Sequence, residues 1–333
     1  MKYLVTGAAG FIGAHLSQLL LEQEHEVVAL DNFNRYYSSE FKRKRAREIL
    51  GPLGLSVQDL DLRMKDAVYQ VIRKERPDVV VHLAGQPGVR TPLEQSHLYV
   101  ESNLVAFCNI LEACTANEIP NLLYASSSSV YGDSLQLPYS EANRNLAPVS
   151  IYGATKLAGE ILAPSFVKGS KTKTRGMRFF TVYGPWGRPD MAYFRLINSG
   201  LNQVQFNKFG DGAIKRDFTY VSDITNMISK LSIELTRREG GFSDIVNIGG
   251  GNPHSLNDLI EAVEKILTVK ISVDSQERNT NDSKITCADT NKLEELTGSK
   301  PQIDLETGLI ETIKWAKSII PASKLDEWIR STN

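Results

Sequence analysis

The chain has 333 residues, of which 41% are hydrophobic and 23% are charged, and its formal net charge is -1. This composition is typical of a globular protein with a large core, and the balanced charge provides no general attraction for nucleic acid. No apolar run approaches the roughly eighteen residues that a membrane span requires. We therefore expect neither nucleic acid nor a membrane as a partner.

Short apolar runs alternate with segments of helical period in the first half, a pattern that builds parallel strands joined by crossover helices. The runs predict strands at Lys2–Val5, Glu26–Leu30, Asp78–Leu83, Asn121–Ser126 and Gly176–Thr181. Helical patterns begin near Phe11, Met64, Leu98 and Ser150. The predicted fold class is α/β, with a Rossmann doubly wound parallel sheet in residues 1–183.

From about Gly184 the alternation loosens into stretches rich in glycine and proline, with helical patterns at Met191–Gly200, Ser255–Leu267 and Asp304–Ala316. We expect residues 184–333 to form a smaller C-terminal α/β substrate lobe, with some segments returning to the Rossmann domain. The basic run Lys42–Arg45 is typical of a solvated helix face.

A glycine-rich turn follows the first predicted strand and precedes a helical pattern. Gly7 allows a tight turn, Gly10 lets the backbone approach a pyrophosphate, and Gly13 lets the helix pack close to the strand. Such a trio is weak evidence alone, because many loops before helices look similar. The second strand leads to Asp31, whose carboxylate can meet the ribose hydroxyls and would repel a 2′-phosphate. Together these features predict NAD rather than NADP.

A serine-rich turn, Ser126–Ser129, stands at the carboxyl end of a predicted parallel strand, where ligands bind in this architecture. Tyr152 and Lys156 then lie four residues apart on a predicted helix, which places the phenol and the ammonium on one face. Each feature is ordinary by itself, but their combination after a glycine turn is rare. We predict a catalytic set of Ser127, Tyr152 and Lys156.

The chemistry explains why these residue types belong together. A phenol has a pKa of about 10, which is too high for a general base at neutral pH. Positive charge nearby stabilises the anion, and we expect Lys156 and the oxidised nicotinamide to provide it. Ser127 would hold the reacting hydroxyl while Tyr152 removes its proton.

At these motifs the chain resembles the extended short-chain dehydrogenase/reductase family, specifically its nucleotide-sugar 4-epimerases and most closely the UDP-glucuronate 4-epimerases. The likeness runs from Gly7 to about Trp315. Its most specific string is Arg-Phe-Phe-Thr-Val-Tyr-Gly-Pro-Trp-Gly-Arg-Pro-Asp-Met at residues 178–191. Residues 31–37, 86–90 and 125–132 carry further matching strings.

The resemblance implies that the glycine turn, the end of the second strand and the stretch His82–Gly85 hold the cofactor. The expected cofactor set is Gly7, Gly10, Phe11, Ile12, Gly13, Asp31, Asn32, Asp61, Leu62, Leu83, Ala84, Gly85, Asn103, Tyr152 and Lys156. Asp61 fits an exposed turn equally well. The expected substrate set is Pro87, Arg90, Ser127, Ser128, Ser129, Thr181, Arg188, Arg216, Arg278 and Asp282.

Within the substrate set, Arg216 is expected to meet the pyrophosphate. Arg278 and Asp282 are expected at the nucleotide, although residues 279–282 lack the arginine and glycine that galactose-type epimerases use there. The sequence therefore leaves open whether the nucleotide carries uridine or a nucleoside of another base.

The implied reaction is NAD-dependent inversion at C4 of a UDP-hexuronic acid, UDP-glucuronate to UDP-galacturonate, through a 4-keto sugar. Such an isomerase regenerates NAD in each turnover. A 4-keto uronate is a β-keto acid that can lose carbon dioxide, so the site must hold the carboxylate. Ser128, Ser129, Thr181 and Arg188 are the candidates, and Arg188 either makes a bidentate contact or binds the pyrophosphate.

Three other functions remain as alternatives. A 4-epimerase of a neutral UDP-sugar, UDP-glucose or UDP-N-acetylglucosamine, typically carries asparagine at the position of Thr181. Dehydratases and UDP-glucuronate decarboxylases place acidic residues in the serine turn, which carries none here. A non-catalytic NAD-binding regulator would need a broken catalytic set, whereas Ser127, Tyr152 and Lys156 are all present.

Members of the resembling family commonly pair through two helices of each Rossmann domain, so we expect a homodimer. Phe107, Ile110, Leu111, Leu157 and Ile161 are candidates for that contact, unless they are buried in the chain's own core. The three cysteines show no zinc-type spacing, and we expect no metal. The glycine turn begins too early for a signal peptide to precede it, which predicts a cytoplasmic protein.

Overall fold

The structure is a computed structural model that describes residues 1–88, 93–277, 285–319 and 328. Its strands, numbered β1 to β12 in chain order, are Lys2–Thr6, Glu26–Asp31, Val57–Asp59, Val79–His82, Asn121–Ser127, Lys173–Phe179, Thr181–Tyr183, Phe206–Phe209, Lys215–Tyr220, Ser243–Ile248, Pro253–Ser255 and Val273–Gln276. Its helices, numbered α1 to α11, are Phe11–Glu22, Ser39–Ile49, Lys65–Glu75, Ser96–Val100, Ala106–Ala116, Ile151–Val167, Ala192–Asn202, Val221–Thr236, Leu256–Leu267, Asn291–Thr297 and Leu305–Ile319. Short turns of other pitch cover Gly51–Leu53, Leu93–Gln95, Ser128–Tyr131 and, as a π-helix, Glu101–Val105. Within the described ranges, no helix combines the length and apolarity needed to cross a membrane.

Seven of the described strands form a parallel sheet in the order β10-β6-β5-β4-β1-β2-β3. The order reverses between β1 and β4, and open α/β sheets bind ligands in the crevice outside the carboxyl ends at such a point. Thr6 at the end of β1 lies opposite His82 at the end of β4, so both strands end at the same level. The predicted Rossmann fold class is confirmed, and β10 from the second half of the chain completes the sheet.

Both faces of this sheet are covered, which explains why its strands read as continuous apolar runs. Val79 and Val81 face a core that includes side chains of α1 and α8. Val80 and Leu122 face the opposite way, into a core that includes α3 and α5. Two smaller sheets, β11-β9-β7 and β12-β8, form from later segments.

The predicted strand Gly176–Thr181 is divided in two, because β6 ends at Phe179 and β7 begins at Thr181. β6 pairs with β5 and β10 in the large sheet, whereas β7 pairs with β9 in the three-stranded sheet. Between them, the Phe180 N–H still donates to the Ile248 carbonyl at 3.2 Å. The chain therefore leaves the Rossmann sheet at Phe180.

The prediction of a solvated face for Lys42–Arg45 is wrong for two of its four residues. Arg45 is completely buried and Lys42 is 5% exposed. The reason lies in tertiary packing: Phe41 on the same helix, α2, packs against Trp186, with 5.6 Å between ring centroids. That contact covers the side of the helix on which Arg45 lies.

The predicted dimer contact is wrong for three of its five residues. Phe107, Ile110 and Leu111 are 3%, 0% and 0% exposed, because they fill the core between the sheet and α5. Leu157 is half-buried, and Ile161 is 66% exposed.

His82 lies at the bottom of the crevice and is 4% exposed. Its Nδ1 atom is 2.8 Å from the Thr6 hydroxyl, and its ring stacks on Phe107 at 5.3 Å between centroids. Burial, together with the charge of Lys156, lowers the pKa of His82 from 6.5 to about 3. The imidazole is therefore neutral in the native state at all but strongly acidic pH.

We expect His82→Gln to reduce the loss of stability in acid. The unfolded chain takes up this proton below pH 6.5 and the native state only near pH 3, so native stability falls as pH drops through that window. Between pH 6.5 and about pH 4 the variant should lose about 3 kcal/mol less unfolding free energy than wild type, measured by urea unfolding. The exposed His97→Gln is the control and should follow wild type. If the unfolding free energies of wild type and His82→Gln fall in parallel as the pH is lowered, the prediction is contradicted.

Candidate active site

The turn between β1 and α1 closes so tightly that it leaves no room for side chains. Gly7 has a φ of +71°, and a Cβ there would lie 2.7 Å from the Ala84 nitrogen. A Cβ on Gly13 would lie 2.1 Å from the Gly7 carbonyl oxygen, and one on Gly10 would lie 2.8 Å from that oxygen. The three glycines are therefore required by the turn itself.

Helix α1 begins after Gly10 with no side-chain cap and no acidic residue in its first turn. The first N–H groups of an α-helix have no partner within the helix, so they remain available to an anion. These are the N–H groups of Phe11, Ile12 and Gly13. The helix start fits a pyrophosphate.

Asp31 at the end of β2 faces the same turn. Its carboxylate accepts hydrogen bonds from the Ala9 N–H at 3.1 Å and the Phe33 N–H at 2.7 Å. Burial raises the pKa of Asp31, while the Phe33 hydrogen bond and the charge of Lys42 lower it. An anion site and a carboxylate on one turn fit the adenosine diphosphate half of a dinucleotide.

Asp61 and Leu62 lie at the turn after β3. The Asp61 carboxylate pairs with Arg63 at 2.7 Å, and hydrogen bonds from Arg63 and Asn32 lower its pKa. The Leu62 side chain is buried in the core below. The Asp61 carboxylate is therefore already engaged by Arg63, and the cofactor contacts of both residues stay predictions.

The stretch after β4 crosses the crevice. Asn103 holds it, since its side-chain oxygen accepts from the Gln86 N–H at 2.7 Å and its nitrogen donates to the Gln86 carbonyl and the Thr155 hydroxyl. A Cβ on Gly85 would lie 2.8 Å from the Asn103 oxygen and 3.3 Å from Lys156 Nζ. Leu83 and Ala84, which precede it, donate to the carbonyl and hydroxyl of the last residue of β1.

The strand β5 and the helix α6 bring the predicted catalytic residues together. Ser127 ends β5, and its hydroxyl donates to the Ser129 hydroxyl and accepts from the Ser129 N–H, both at 3.1 Å. α6 begins after Ser150, which caps it by accepting from the Gly153 N–H at 3.0 Å. Tyr152 therefore lies in the first turn of the helix, beside the serine turn.

The electrostatics of Tyr152 differ from expectation. Burial raises the pKa of Tyr152, while the hydrogen bond with Ser127 and the charge of Arg188 lower it. Lys156 donates to the Ala125 carbonyl at 3.0 Å and lies 5.9 Å from the centre of the Tyr152 ring. Burial also lowers the pKa of Lys156 to about 8. Arg188 thus adds positive charge at Tyr152, and the role of Lys156 and the nicotinamide at the phenol stays a prediction.

A buried ion pair that the sequence analysis missed lies behind the serine turn. The Glu160 carboxylate accepts from the Ser126 hydroxyl at 2.5 Å and from Arg178 at 2.6 and 2.9 Å. It thereby connects the serine turn, the helix that carries Lys156, and β6. The signal was present in the sequence, because Glu160 follows Lys156 by four residues on the same helix.

The candidate carboxylate ligands follow neighbouring strands. Phe179 on β6 lies opposite Ser127 in the sheet register, and Thr181 follows two residues later. Ser128, Ser129 and Thr181 therefore follow the carboxyl ends of the adjacent strands β5 and β6.

Arg188 is already paired. It donates to both carboxylate oxygens of Asp190, at 3.0 and 2.5 Å, and its guanidinium lies 5.5 Å from the centre of the Tyr36 ring. The Tyr36 hydroxyl donates to Asp190 at 3.4 Å. Asp190 and Tyr36 were missed as site residues, although both lie in strings that the sequence analysis singled out.

The contacts of the remaining predicted substrate ligands do not indicate what these residues bind. The Pro87 carbonyl accepts from the Tyr99 hydroxyl at 2.8 Å, and Arg216 on β9 donates to the Lys215 carbonyl at 2.9 Å. Arg90, Arg278 and Asp282 lie outside the described residues, so their roles stay predictions.

Comparison with known proteins places this chain in a family. Residues 3–249 match the family described as the NAD dependent epimerase/dehydratase family. The chain belongs to this family. It is 36% identical to a probable UDP-glucuronate 4-epimerase of Rhizobium meliloti (strain 1021), over 95% of this chain and 96% of that protein. The resemblance found in the motifs is confirmed.

Solved structures of epimerases share the fold of this family member. One is UDP-glucuronic acid 4-epimerase from Bacillus cereus in complex with UDP-glucuronic acid and NAD, with 34% identity and a TM-score of 0.85. Another is UDP-glucose 4-epimerase from Thermus thermophilus in complex with NAD, with 27% identity and a TM-score of 0.85. Each comparison covers 96% of this chain and 100% of the other.

Proposed function

We propose that this family member is an NAD-dependent UDP-glucuronate 4-epimerase, an isomerase that interconverts UDP-glucuronate and UDP-galacturonate. The observation that carries the proposal is the place of Arg188, whose guanidinium lies 5.5 Å from the centre of the Tyr36 ring and whose charge also lowers the pKa of Tyr152. A cation beside the proposed base can face a substrate carboxylate, which a neutral sugar lacks. Similarity to UDP-glucuronate 4-epimerases over nearly the whole chain supports the same reaction.

Tyr152 would remove the proton of the C4 hydroxyl, and Ser127 would hold that hydroxyl against the phenolate oxygen. Since burial raises the pKa of Tyr152, its anion depends on positive charge and hydrogen bonds at the site. Gly7, Gly10, Gly13 and Asp31 would hold NAD, which supplies oxidation and reduction at C4 when it is bound. After the 4-keto sugar has turned about its phosphate linkage, the reduction that the cofactor would supply falls on the opposite face of C4, and Tyr152 would return its proton to the C4 oxygen.

The uronate carboxylate needs its own contacts, because a 4-keto uronate readily loses carbon dioxide. Ser128, Ser129 and Thr181 offer hydroxyl donors from adjacent strand ends, and Arg188 offers a guanidinium. We infer that these groups fix the carboxylate. Its bond to the ring then stays out of alignment with the π orbitals of the keto group, which disfavours loss of carbon dioxide. Arg216 would hold the pyrophosphate while the sugar turns.

One observation favours a neutral UDP-sugar as the alternative substrate. Arg188 is bidentate with Asp190, so part of its donor capacity is already used. The threonine at position 181, in place of the asparagine typical of neutral-sugar epimerases, weighs against that alternative.

The deciding experiment incubates purified protein with UDP-glucuronate and, in parallel, with UDP-glucose, without added NAD, and follows products by proton NMR. We expect the uronate alone to convert to its C4 epimer. Tyr152→Phe should abolish this turnover while retaining cofactor, measured by absorbance after NAD release, because only the proton-transfer group is removed. Near-normal turnover in Tyr152→Phe would refute the assigned role, and conversion of UDP-glucose alone would refute the uronate proposal.

Arg188→Ala should raise the KM for UDP-glucuronate by about tenfold or more, because a hydrogen-bonded charge contact is lost. Decarboxylated product should also appear, detected by NMR as a UDP-pentose. The exposed Arg47→Ala is the control and should leave both quantities unchanged. An unaltered KM and product profile in Arg188→Ala would remove this residue from the carboxylate site.

We also propose a homodimer that forms through neighbouring helices of the Rossmann domain. Val100 and Val105 are each 44% exposed and Ile161 is 66% exposed, on elements that pack against each other. Ile161→Asp should shift the protein to the monomer in sedimentation velocity, since it introduces a charge into an apolar contact. A dimer that persists in this variant would exclude this face.

The three free cysteines are consistent with the further proposal of a reducing, cytoplasmic location.

A further inference from the structure

The basic run of α2 contains a cation that the proposed mechanism does not use. Arg45 is completely buried, whereas the Arg43 and Arg47 side chains of the same helix are 58% and 72% exposed. A buried guanidinium is costly unless its donors are satisfied. Its hydrogen-bond partners therefore indicate what it holds in place.

Those partners lie in two separate parts of the site. Arg45 Nη1 donates to the Ala9 carbonyl of the glycine turn at 2.8 Å. Its Nε donates to the Trp186 carbonyl at 2.8 Å, and its Nη2 donates to the Gly187 carbonyl at 3.4 Å. The next residue along the chain is Arg188. One side chain thus connects the cofactor turn to the segment that carries the proposed uronate ligand.

The same turn is also tied to the ribose-binding carboxylate, because the Ala9 N–H donates to Asp31 at 3.1 Å. A continuous set of buried contacts therefore runs from Asp31 through Ala9 and Arg45 to the carbonyls beside Arg188. Nη1 of Arg45 also donates to the Tyr37 hydroxyl at 2.8 Å, which fixes the plane of the guanidinium.

The segment before Arg188 needs such support. Trp186 has a φ of +60°, in the left-handed region that non-glycine residues rarely adopt. A Cβ on Gly187 would lie 1.5 Å from the Tyr193 hydroxyl, so the backbone is pressed against its neighbours. Conformations of this kind persist only where the surroundings hold them.

We propose that Arg45 is a positioning residue that holds Arg188 at a fixed place relative to the cofactor turn and thereby sets recognition of the uronate carboxylate. The inference rests on the proposed function, because Arg188 is the carboxylate ligand there. Arg45 itself, enclosed by backbone carbonyls and the Tyr37 hydroxyl, acts through Arg188.

The test compares two ligands that differ in the uronate. NAD-loaded protein carrying Tyr152→Phe, which binds without turnover, is titrated with UDP-glucuronate and with UDP by calorimetry. Adding Arg45→Met should weaken the binding of UDP-glucuronate by about tenfold or more, because the carbonyls beside Arg188 lose their donor. Affinity for UDP should change by less than about twofold. The matched control, Arg47→Met, should leave both affinities unchanged.

A double-mutant cycle separates positioning from general stability. In a background that carries Arg188→Ala, adding Arg45→Met should weaken the binding of UDP-glucuronate by less than about threefold, because the residue through which Arg45 acts is absent. If the loss of UDP-glucuronate affinity in the double variant equals the product of the losses in the two single variants, the proposal is overturned. An equal loss of affinity for UDP and for UDP-glucuronate in Arg45→Met would overturn it as well. If Arg45→Met does not fold, Arg45→Lys decides, and it should still weaken UDP-glucuronate selectively by at least about threefold.

The two hypotheses fail in different ways. A wild-type protein that leaves UDP-glucuronate unchanged in the NMR assay overturns the proposed function. A wild-type protein that converts it, while Arg45→Met binds UDP-glucuronate as tightly as Arg47→Met does, overturns only the positioning role.

Discussion

The crevice between the carboxyl ends of β1 and β4 exists because the strand order reverses there, and each part of the site is built on its two walls. Thr6 fixes the distance between the walls. Its carbonyl accepts from the Leu83 N–H, and its hydroxyl contacts both the Ala84 N–H and His82 Nδ1. The close approach of Gly7 to Ala84 follows from this geometry. A dinucleotide can lie across the strand ends only because no side chain intervenes.

The catalytic geometry depends on a second constraint, the buried pair of Glu160 and Arg178. Removing either partner of a buried ion pair is costly, so the pair holds together the elements that carry it. Here the same carboxylate also accepts from Ser126, next to Ser127, and it follows Lys156 by one helical turn. The serine hydroxyl and the tyrosine helix are thereby held in one geometry, although they come from distant parts of the chain.

Features that depend on local spacing could be predicted from the sequence, and those that depend on tertiary packing could not. The glycine turn and the four-residue spacing of Tyr152 and Lys156 are local, and the structure places them as expected. Helix α8 was missed although its exposed residues Asn226, Lys230 and Ile233 recur at helical spacing. The burial of Arg45 follows from contacts with Trp186, far away in sequence, which charge patterning does not reveal.

The charges around Arg188 add one step to the argument for an acidic sugar. Burial and the charges of Arg45 and Arg188 together lower the pKa of Lys42 to about 8, against the charge of Asp31, which raises it, so these groups act on one another. At neutral pH the three cations Lys42, Arg45 and Arg188 face the two carboxylates of Asp31 and Asp190. Three positive charges less two negative charges leave one positive charge. A uronate carboxylate would add a third negative charge beside these cations, whereas a neutral sugar would add none.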